Sequence, residues 1–331
     1  MDRVRWGVMG TADIAASQTI PGLMQADNAL LHAVAGRDPG KAEQFRDRFG
    51  FGRSYGSYDE LLDDPDVEAV YIPLPNSLHC SWAVKALQAG KHVLCEKPAA
   101  VSEEEAKLMY RTAAENGVYL MEAFAYLHSP FIEALRGEVA RGSIGELRYI
   151  ESSFLTGRRP DGDIRMRRET AGGSLFDLGC YCLSWILWMA GGEPDGVHAF
   201  SEFTEEGIDI FSSALLTYSS GLRASFSCGM MLPYGRQDLF ALYGTEGRIT
   251  TPVQFNQPGE LSYTVAGRQS SETRRLTSLN NYRLEFEQLG RCVRGLEKPR
   301  LTAEFSLMNA RVMDRILESC GYRDAGRRTG A

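Results

Sequence analysis

The sequence predicts an α/β protein: an N-terminal doubly wound parallel sheet of Rossmann type, then an α+β domain with a large, mostly antiparallel open sheet. Three observations carry this. Strand-like and helix-like runs alternate through the first 120 or so residues, the rhythm of βαβ units. A glycine turn, Gly10-Thr11-Ala12-Asp13-Ile14-Ala15, directly follows the first apolar run. After about residue 122 the rhythm changes to one apolar helix and a series of strand-like runs parted by Gly and Pro turns. The expected division is residues 1–121 for the dinucleotide-binding domain and 122–331 for substrate binding and oligomerisation.

In order, residues 4–9 form the first apolar run, and 14–26 a helix made irregular by Pro21. Residues 30–35 are the second strand. A helix over 41–49 stops at Gly50, and a short one lies near 58–62. Residues 67–72 are the third strand, 78–89 a helix ending at Gly90, and 92–95 the fourth strand. Ser102 opens a helix whose first turn holds acids at 103–105, complementing the helix dipole. Residues 118–124 are the fifth strand. Beyond them come the apolar helix 173–189, strands near 197–203, 210–218, 222–231, 239–243 and 261–265, and helices near 282–294 and 304–320.

The 331 residues suffice for two cores. A net charge of −7 argues against a nucleic-acid partner, which needs a basic face. No apolar stretch reaches membrane-spanning length, so no membrane partner is expected. The first residues run almost directly into a strand, which predicts no cleavable leader. Seven cysteines without a CxxC pair fit a reducing cytoplasm. No His cluster accompanies them, so no metal is expected. The basic run Arg165 to Arg168 suits a small anionic ligand.

Gly10–Ala15 is a GxGxxG turn with Ala in the second and third glycine places. Gly10 permits the tight turn, and the N–H groups that open the following helix suit a pyrophosphate. The second strand ends Ala35-Gly36-Arg37-Asp38. An NAD enzyme places an acid at the Gly36 position to hold the ribose. Arg37 instead suits a 2′-phosphate, so NADP is favoured, with NAD the alternative. Lys97 stands just past the carboxyl end of the fourth strand, where doubly wound sheets bind ligands. Asp177 and Tyr181 are four apart on the apolar helix and share a face.

With Gly10–Ala15, "YIPLPNSLH" (71–79), "AGKHVLCEKP" (89–98), "GDIR" (162–165) and "GGSLFDLGCY" (172–181), the sequence resembles the Gfo/Idh/MocA oxidoreductases along essentially its whole length. The resemblance implies hydride transfer between a nicotinamide cofactor and a carbinol or ketone of a sugar, polyol or sugar derivative, pyranose C3 included. A dihydrodiol dehydrogenase is the nearest alternative, and a non-catalytic NAD(P) sensor is the alternative of another class. Assembly as a homodimer or homotetramer through the C-terminal sheet is implied, as is a cis peptide before Pro98. Lys97 would hold the substrate hydroxyl, Tyr181 serve as general acid–base, and Asp177 orient the substrate. A tyrosine, with an ordinary pKa near 10, needs a cation for this work, and Lys97 would supply it. Leu74, Pro75, Asn76 and His79 would line the cofactor, with Glu96, Glu122 and Arg165 also beside it. His128 would lie near the site entrance and bind substrate; it reads His-Ser-Pro where many relatives have His-Pro-Gln.

Overall fold

The computed structural model of the chain describes residues 2–160, 162–232 and 235–322. These form two compact units, one of residues up to 128 together with 279–307, the other of 129–278 together with 308 onward.

The first unit is built on six parallel strands: β1 (Val4–Met9), β2 (Ala29–Ala35), β3 (Arg53–Tyr55), β4 (Ala69–Ile72), β5 (His92–Glu96) and β6 (Leu120–Ala123). Their order is β3-β2-β1-β4-β5-β6, so the direction of winding reverses between β1 and β4. Crevices at the carboxyl ends of strands flanking such a reversal bind ligands. All four residues of β4 are buried, as expected of a strand covered on both faces. The sequence reading finds five of these strands and misses β3, whose three residues carry an arginine, a serine and a tyrosine.

The helix after the glycine turn is irregular, as Pro21 predicts. Residues Ala15–Thr19 form a π-turn before the helix Ile20–Gln25. Pro21 has no N–H to return to the preceding turn, and the Ile20 N–H reaches back five residues to the Ala15 carbonyl. One assignment needs correction. The helix Asn281–Val293 belongs to the first unit, although its position in the sequence put it in the second domain. The cause is packing: Phe286, fully buried, stands edge-on to Trp6 at 4.8 Å and to Tyr71 at 5.6 Å.

The second unit holds an eight-stranded sheet: β7 (Leu147–Gly157), β8 (Gly196–Phe203), β9 (Asp209–Thr217), β10 (Arg223–Leu232), β11 (Gln237–Gly244), β12 (Gly247–Thr251), β13 (Gly259–Gly267) and β14 (Ser271–Ser278). The order is β14-β13-β12-β11-β7-β10-β9-β8. β7 runs parallel to β10, and the other neighbours pair antiparallel. One face of this sheet packs on the helix Cys180–Ala190, where Trp185 meets Phe240 edge-on at 5.0 Å. On β8 and β9, Phe200 and Leu215 are 67% and 44% exposed. No helix among the described residues is long and apolar enough to cross a membrane.

Candidate active site

In the first unit the glycine turn has the geometry its residues predict. Gly10 has φ +132°, a conformation open to glycine and strained for other residues. A Cβ there would lie 3.2 Å from Leu74 Cδ2, so Leu74 borders the turn. The Ala16 N–H bonds to the Ala12 carbonyl, which leaves the N–H groups just before it as the orphan donors of a helix start. At the end of β2, Asp38 is engaged as a helix cap, accepting the Lys41 N–H at 3.2 Å. Arg37 is exposed, with the Tyr58 hydroxyl as a neighbour. The acid at this strand end is thus spent on a cap, and the guanidinium faces outward. The turn and the cation fit a dinucleotide carrying a 2′-phosphate.

Lys97 follows β5, and its peptide bond to Pro98 is cis. The residues around it are fixed by buried polar groups. Glu96 accepts from the Tyr71 hydroxyl and from the Lys97 backbone N–H, the latter at 3.2 Å. Glu122 is buried and accepts the Ala99 N–H at 3.0 Å. Burial pushes the Glu122 carboxyl up to about 7, against the pull of that N–H and of the Lys97 charge. His79 has no solvent exposure. Its Nδ1 lies 2.8 Å from the Pro98 carbonyl and its Nε2 2.7 Å from the Leu74 carbonyl. Both ring nitrogens thus face backbone carbonyls, one in the loop after β4 and one in the loop after β5. Asn76 opens the helix Asn76–Gln88, and Pro75 is its N-cap. His128 is 7% exposed; burial, with the charges of Arg300 and Arg291, holds it down at about 3.

In the second unit the paired glycines of "GGSLFDLG" admit close neighbours. A Cβ on Gly172 would meet the Arg165 carbonyl at 2.3 Å, and one on Gly173, at φ +119°, would meet Asp209 Oδ1 at 2.0 Å. Asp209 is fully buried and accepts from the Ser174 hydroxyl at 2.6 Å and the Leu175 N–H at 2.8 Å. It thereby anchors the start of the apolar helix. Burial raises its carboxyl to about 6. Asp177 lies on the π-turn Leu175–Gly179, and Tyr181 one residue into the α-helix that follows. Single π-turns within helices recur at functional sites.

Asp177 is held by two arginines: Arg159 at 2.7 Å and Arg165 at 3.0 Å, both on Oδ2. The Asp177 charge is the main cause that raises the Arg165 pKa further. Arg165, expected beside the cofactor, is here an ion-pair partner of Asp177 and of Asp163 at 3.3 Å. Arg168 reaches the Gly207 and Tyr322 carbonyls. Tyr181 is 9% exposed and stands against Phe154 and Phe255, with ring centroids at 5.5 and 5.1 Å. The Asn256 amide donates to its hydroxyl at 3.5 Å, from a backbone at φ +61°. Sequence reasoning missed Arg159, Phe154, Phe255 and Asn256. The left-handed residue was discoverable in principle, since Asn tolerates positive φ, but nothing in a single sequence joins Asn256 to Tyr181.

A grouping of His32, Asp64 and Asp66 places possible metal-ligand atoms within 4.8 Å of one another. Arg53 bridges both carboxylates there, at 2.9 and 3.1 Å. Burial works against the Asp64 charge, yet the Asp66 N–H, Tyr55, His32 and Arg53 together hold it down at about 2. This is a satisfied ion-pair network.

Residues 4–124 match the Gfo/Idh/MocA oxidoreductase family, NAD-binding Rossmann fold, and residues 132–250 match the GFO/IDH/MocA C-terminal domain. The chain belongs to this family. It is 37% identical over 321 residues to D-xylose 1-dehydrogenase (NADP(+)) 2 of Haloferax volcanii, across 95% of this chain and 96% of that one. It is 31% identical to trans-1,2-dihydrobenzene-1,2-diol dehydrogenase of Xenopus laevis, across 96% and 98%. Among solved structures, the 3-ketoreductase KijD10 of Actinomadura kijaniata, in complex with NADP and TDP-benzene, superposes with a TM-score of 0.91 at 30% identity, across 96% of this chain and 98% of that one.

Proposed function

We propose that this chain is an NADP-dependent oxidoreductase that moves a hydride between nicotinamide and a carbinol or ketone carbon of a sugar or sugar derivative. The observation that carries the reading is Lys97: a lysine delivered at the carboxyl end of β5 and followed by a peptide gripped by buried His79 and Glu122. Related chains named as a sugar dehydrogenase, a deoxysugar 3-reductase and a 3-ketoreductase support the substrate class. Exposed Arg37, with Asp38 already used as a cap, supports NADP over NAD.

When bound, NADPH would supply the hydride in reduction and NADP+ would accept it in oxidation; the protein's part is binding, orientation and proton transfer. Gly10 and the helix start behind it would receive the pyrophosphate, and Arg37 the 2′-phosphate. Lys97 would donate to the carbinol or carbonyl oxygen. Tyr181 would give that oxygen its proton in reduction and take it in oxidation. Asp177 would act chiefly through Arg159 and Arg165, whose guanidinium groups it holds. A small dihydrodiol is the second reading, favoured by the match to the Xenopus enzyme. Binding alone needs no set of Lys97, Asp177 and Tyr181, which weighs against a sensor without turnover.

A second copy of this chain is the proposed cover for the sheet face that exposes Phe200 and Leu215, and light scattering after gel filtration tests it. The cytoplasm is the proposed location, in keeping with seven free thiols. The activity test is steady-state kinetics with NADP and NAD on aldoses, keto-sugars and dihydrodiols. Tyr181→Phe should lower kcat by about a hundredfold. Most activity surviving in that variant would remove Tyr181 from the mechanism. No cofactor turnover with any carbinol or ketone would favour the sensor.

A further inference from the structure

Residues 254–257 lie between β12 and β13 and bring two side chains against Tyr181. They form a turn: the Gln257 N–H bonds to the Gln254 carbonyl at 3.2 Å, and the Gln257 side chain accepts the Gln254 N–H at 3.0 Å. Of the four, only Asn256, the third, has positive φ, at +61°. That is the pattern of a type II turn, whose third position takes Gly or Asn. An ion pair fixes the residue before it. Arg236 meets Asp238 on both carboxylate oxygens, at 2.9 and 2.7 Å, and the Asp238 side chain has no exposure. The same pair holds both polar groups of the Phe255 backbone: Asp238 accepts its N–H at 2.7 Å, and Arg236 donates to its carbonyl at 2.8 Å. The Phe255 ring is buried against Phe240 at 4.4 Å and against Phe154 and Tyr181, both at 5.1 Å. Asn256 thus leaves a backbone held on one side by the clamp and on the other by the turn. Its amide nitrogen lies 3.5 Å from the Tyr181 hydroxyl oxygen.

An amide N–H only donates, so it meets a lone pair of the phenol oxygen and leaves the phenolic hydrogen for another acceptor. When Tyr181 gives up that hydrogen, its oxygen becomes negative and the contact becomes charge-assisted, hence shorter and stronger. A contact of 3.5 Å is long for the neutral pair and tightens as the charge appears. A donor fixed where charge develops favours the charged form. The charges on the elements packed around Tyr181 are Asp177, one turn earlier and paired with Arg159 and Arg165, and the Arg236–Asp238 pair, with Arg236 over the Phe154 ring at 4.5 Å.

We infer that Asn256 is a positioning residue for proton transfer: held by the Arg236–Asp238 clamp and its own turn, it donates to the Tyr181 oxygen and stabilises that oxygen while its proton is away. The inference rests on the proposed oxidoreductase reading for the use made of the proton, but not for the contact. Two substitutions isolate the donor. Asn256→Gly keeps the turn, because glycine adopts positive φ freely, and removes the amide. Asn256→Asp also tolerates that φ and sets a carboxylate in the amide's place. Both leave the charges named above untouched, as well as Lys97, which the proposed mechanism brings to the same substrate oxygen.

The experiment titrates the full chain, wild type and both variants, by NMR with tyrosine labelled with carbon-13 at Cζ; Tyr181→Phe identifies the Tyr181 signal. Melting temperature and the pH profile of kcat/KM for oxidation are measured alongside. The Tyr181 midpoint should rise by about one pH unit in Asn256→Gly, as for one lost hydrogen bond to a charged oxygen, and by more in Asn256→Asp. The pH at which kcat/KM levels off should rise with it. A purely structural asparagine would lower the melting temperature and leave the midpoint in place, and unmoved midpoints overturn the inference. So does a midpoint that falls, which would set the amide carbonyl, accepting the phenolic proton, against Tyr181. A midpoint that rises while the kcat/KM profile stays in place overturns it too, since the contact would then not serve proton transfer. If the midpoints rise as expected but no carbinol or ketone is turned over, the oxidoreductase reading fails alone and the stabilising contact is supported.

Discussion

His128→Gln should flatten the acid side of the stability curve. His128 is 7% exposed, and burial together with Arg300 and Arg291 holds its folded pKa at about 3, against an ordinary 6.5. The sign follows from proton uptake. Between these two values the unfolded chain binds a proton here and the folded chain does not, so stability is present above 6.5 and is lost as the pH falls. At about pH 5 the unfolded form has gained RT ln(1 + 10^1.5), or about 2 kcal/mol, and the folded form almost nothing. At about pH 7.5 both differences vanish. Glutamine has nearly the same reach and does not titrate. Wild type should therefore lose about 2 kcal/mol more than the variant between these two conditions. Urea unfolding at each pH gives the four free energies needed. Groups common to both proteins, Asp209 among them, cancel in the comparison. Parallel pH dependences for wild type and variant would refute the claim that His128 is buried neutral beside two arginines.

Three other expectations follow from the same geometry. Glu122 has its carboxyl raised to about 7 from an ordinary 4.5, so the folded state holds a proton that the unfolded state releases, and stability falls as pH rises through that window. Glu122→Gln should remove about 2.5 kcal/mol of that loss, read as the gap between the two urea-unfolding curves at about pH 8 relative to about pH 5. Asp177→Asn strips two guanidinium groups of their carboxylate. It should cost about 2 kcal/mol, below the range for fully buried pairs because Arg165 is 36% exposed, and a melting curve unchanged from wild type would contradict the ion-pair arrangement. Arg37→Glu should raise the KM for NADP by tenfold or more, the scale of one lost charge-assisted bond to phosphate plus repulsion, while leaving that for NAD within about twofold; a parallel change for both cofactors would deny Arg37 the 2′-phosphate.

The parts of the fold most legible in the sequence were those with unambiguous hydrophobic patterning. Strands β1, β4 and β5 are buried along most of their length and stand out as short apolar runs between turn residues. β7 is central in the second sheet yet passed unnoticed, because one of its faces is polar: Glu151 and Ser153 alternate with buried Ile150, Ser152 and Phe154. A strand with serine on both faces gives a weak period-two signal. β14, Ser271–Ser278, is mostly polar and exposed at the sheet edge, so its pairing partner defines it more than its composition does. The helix Asn281–Val293 was found, but its unit was not, since chain position carries no record of Phe286 packing on Trp6.

For the site, motif residues were visible and their partners were not. Gly10, Lys97, Asp177 and Tyr181 stand in short recognisable stretches. The polar groups around them come from distant segments: Arg159 reaches Asp177 across 18 residues, and Asn256 reaches Tyr181 across 75. His79 shows the difference most clearly. Its place after β4 suggests a cofactor contact, while the carbonyls that its two nitrogens face, Leu74 and Pro98, are not marked by any spacing in the sequence.

The most direct test of the central claim is isotopic. Wild-type protein is incubated with NADPH carrying deuterium at both nicotinamide C4 positions and with a panel of keto-sugars, and the products are read by mass spectrometry and NMR. The account predicts one deuterium on the carbon that was the ketone, with none exchanged into water, and a transfer slowed by about a hundredfold in Lys97→Ala and Tyr181→Phe. Reduced sugar without the label, or no reduction of any sugar while NADPH binds, would contradict it.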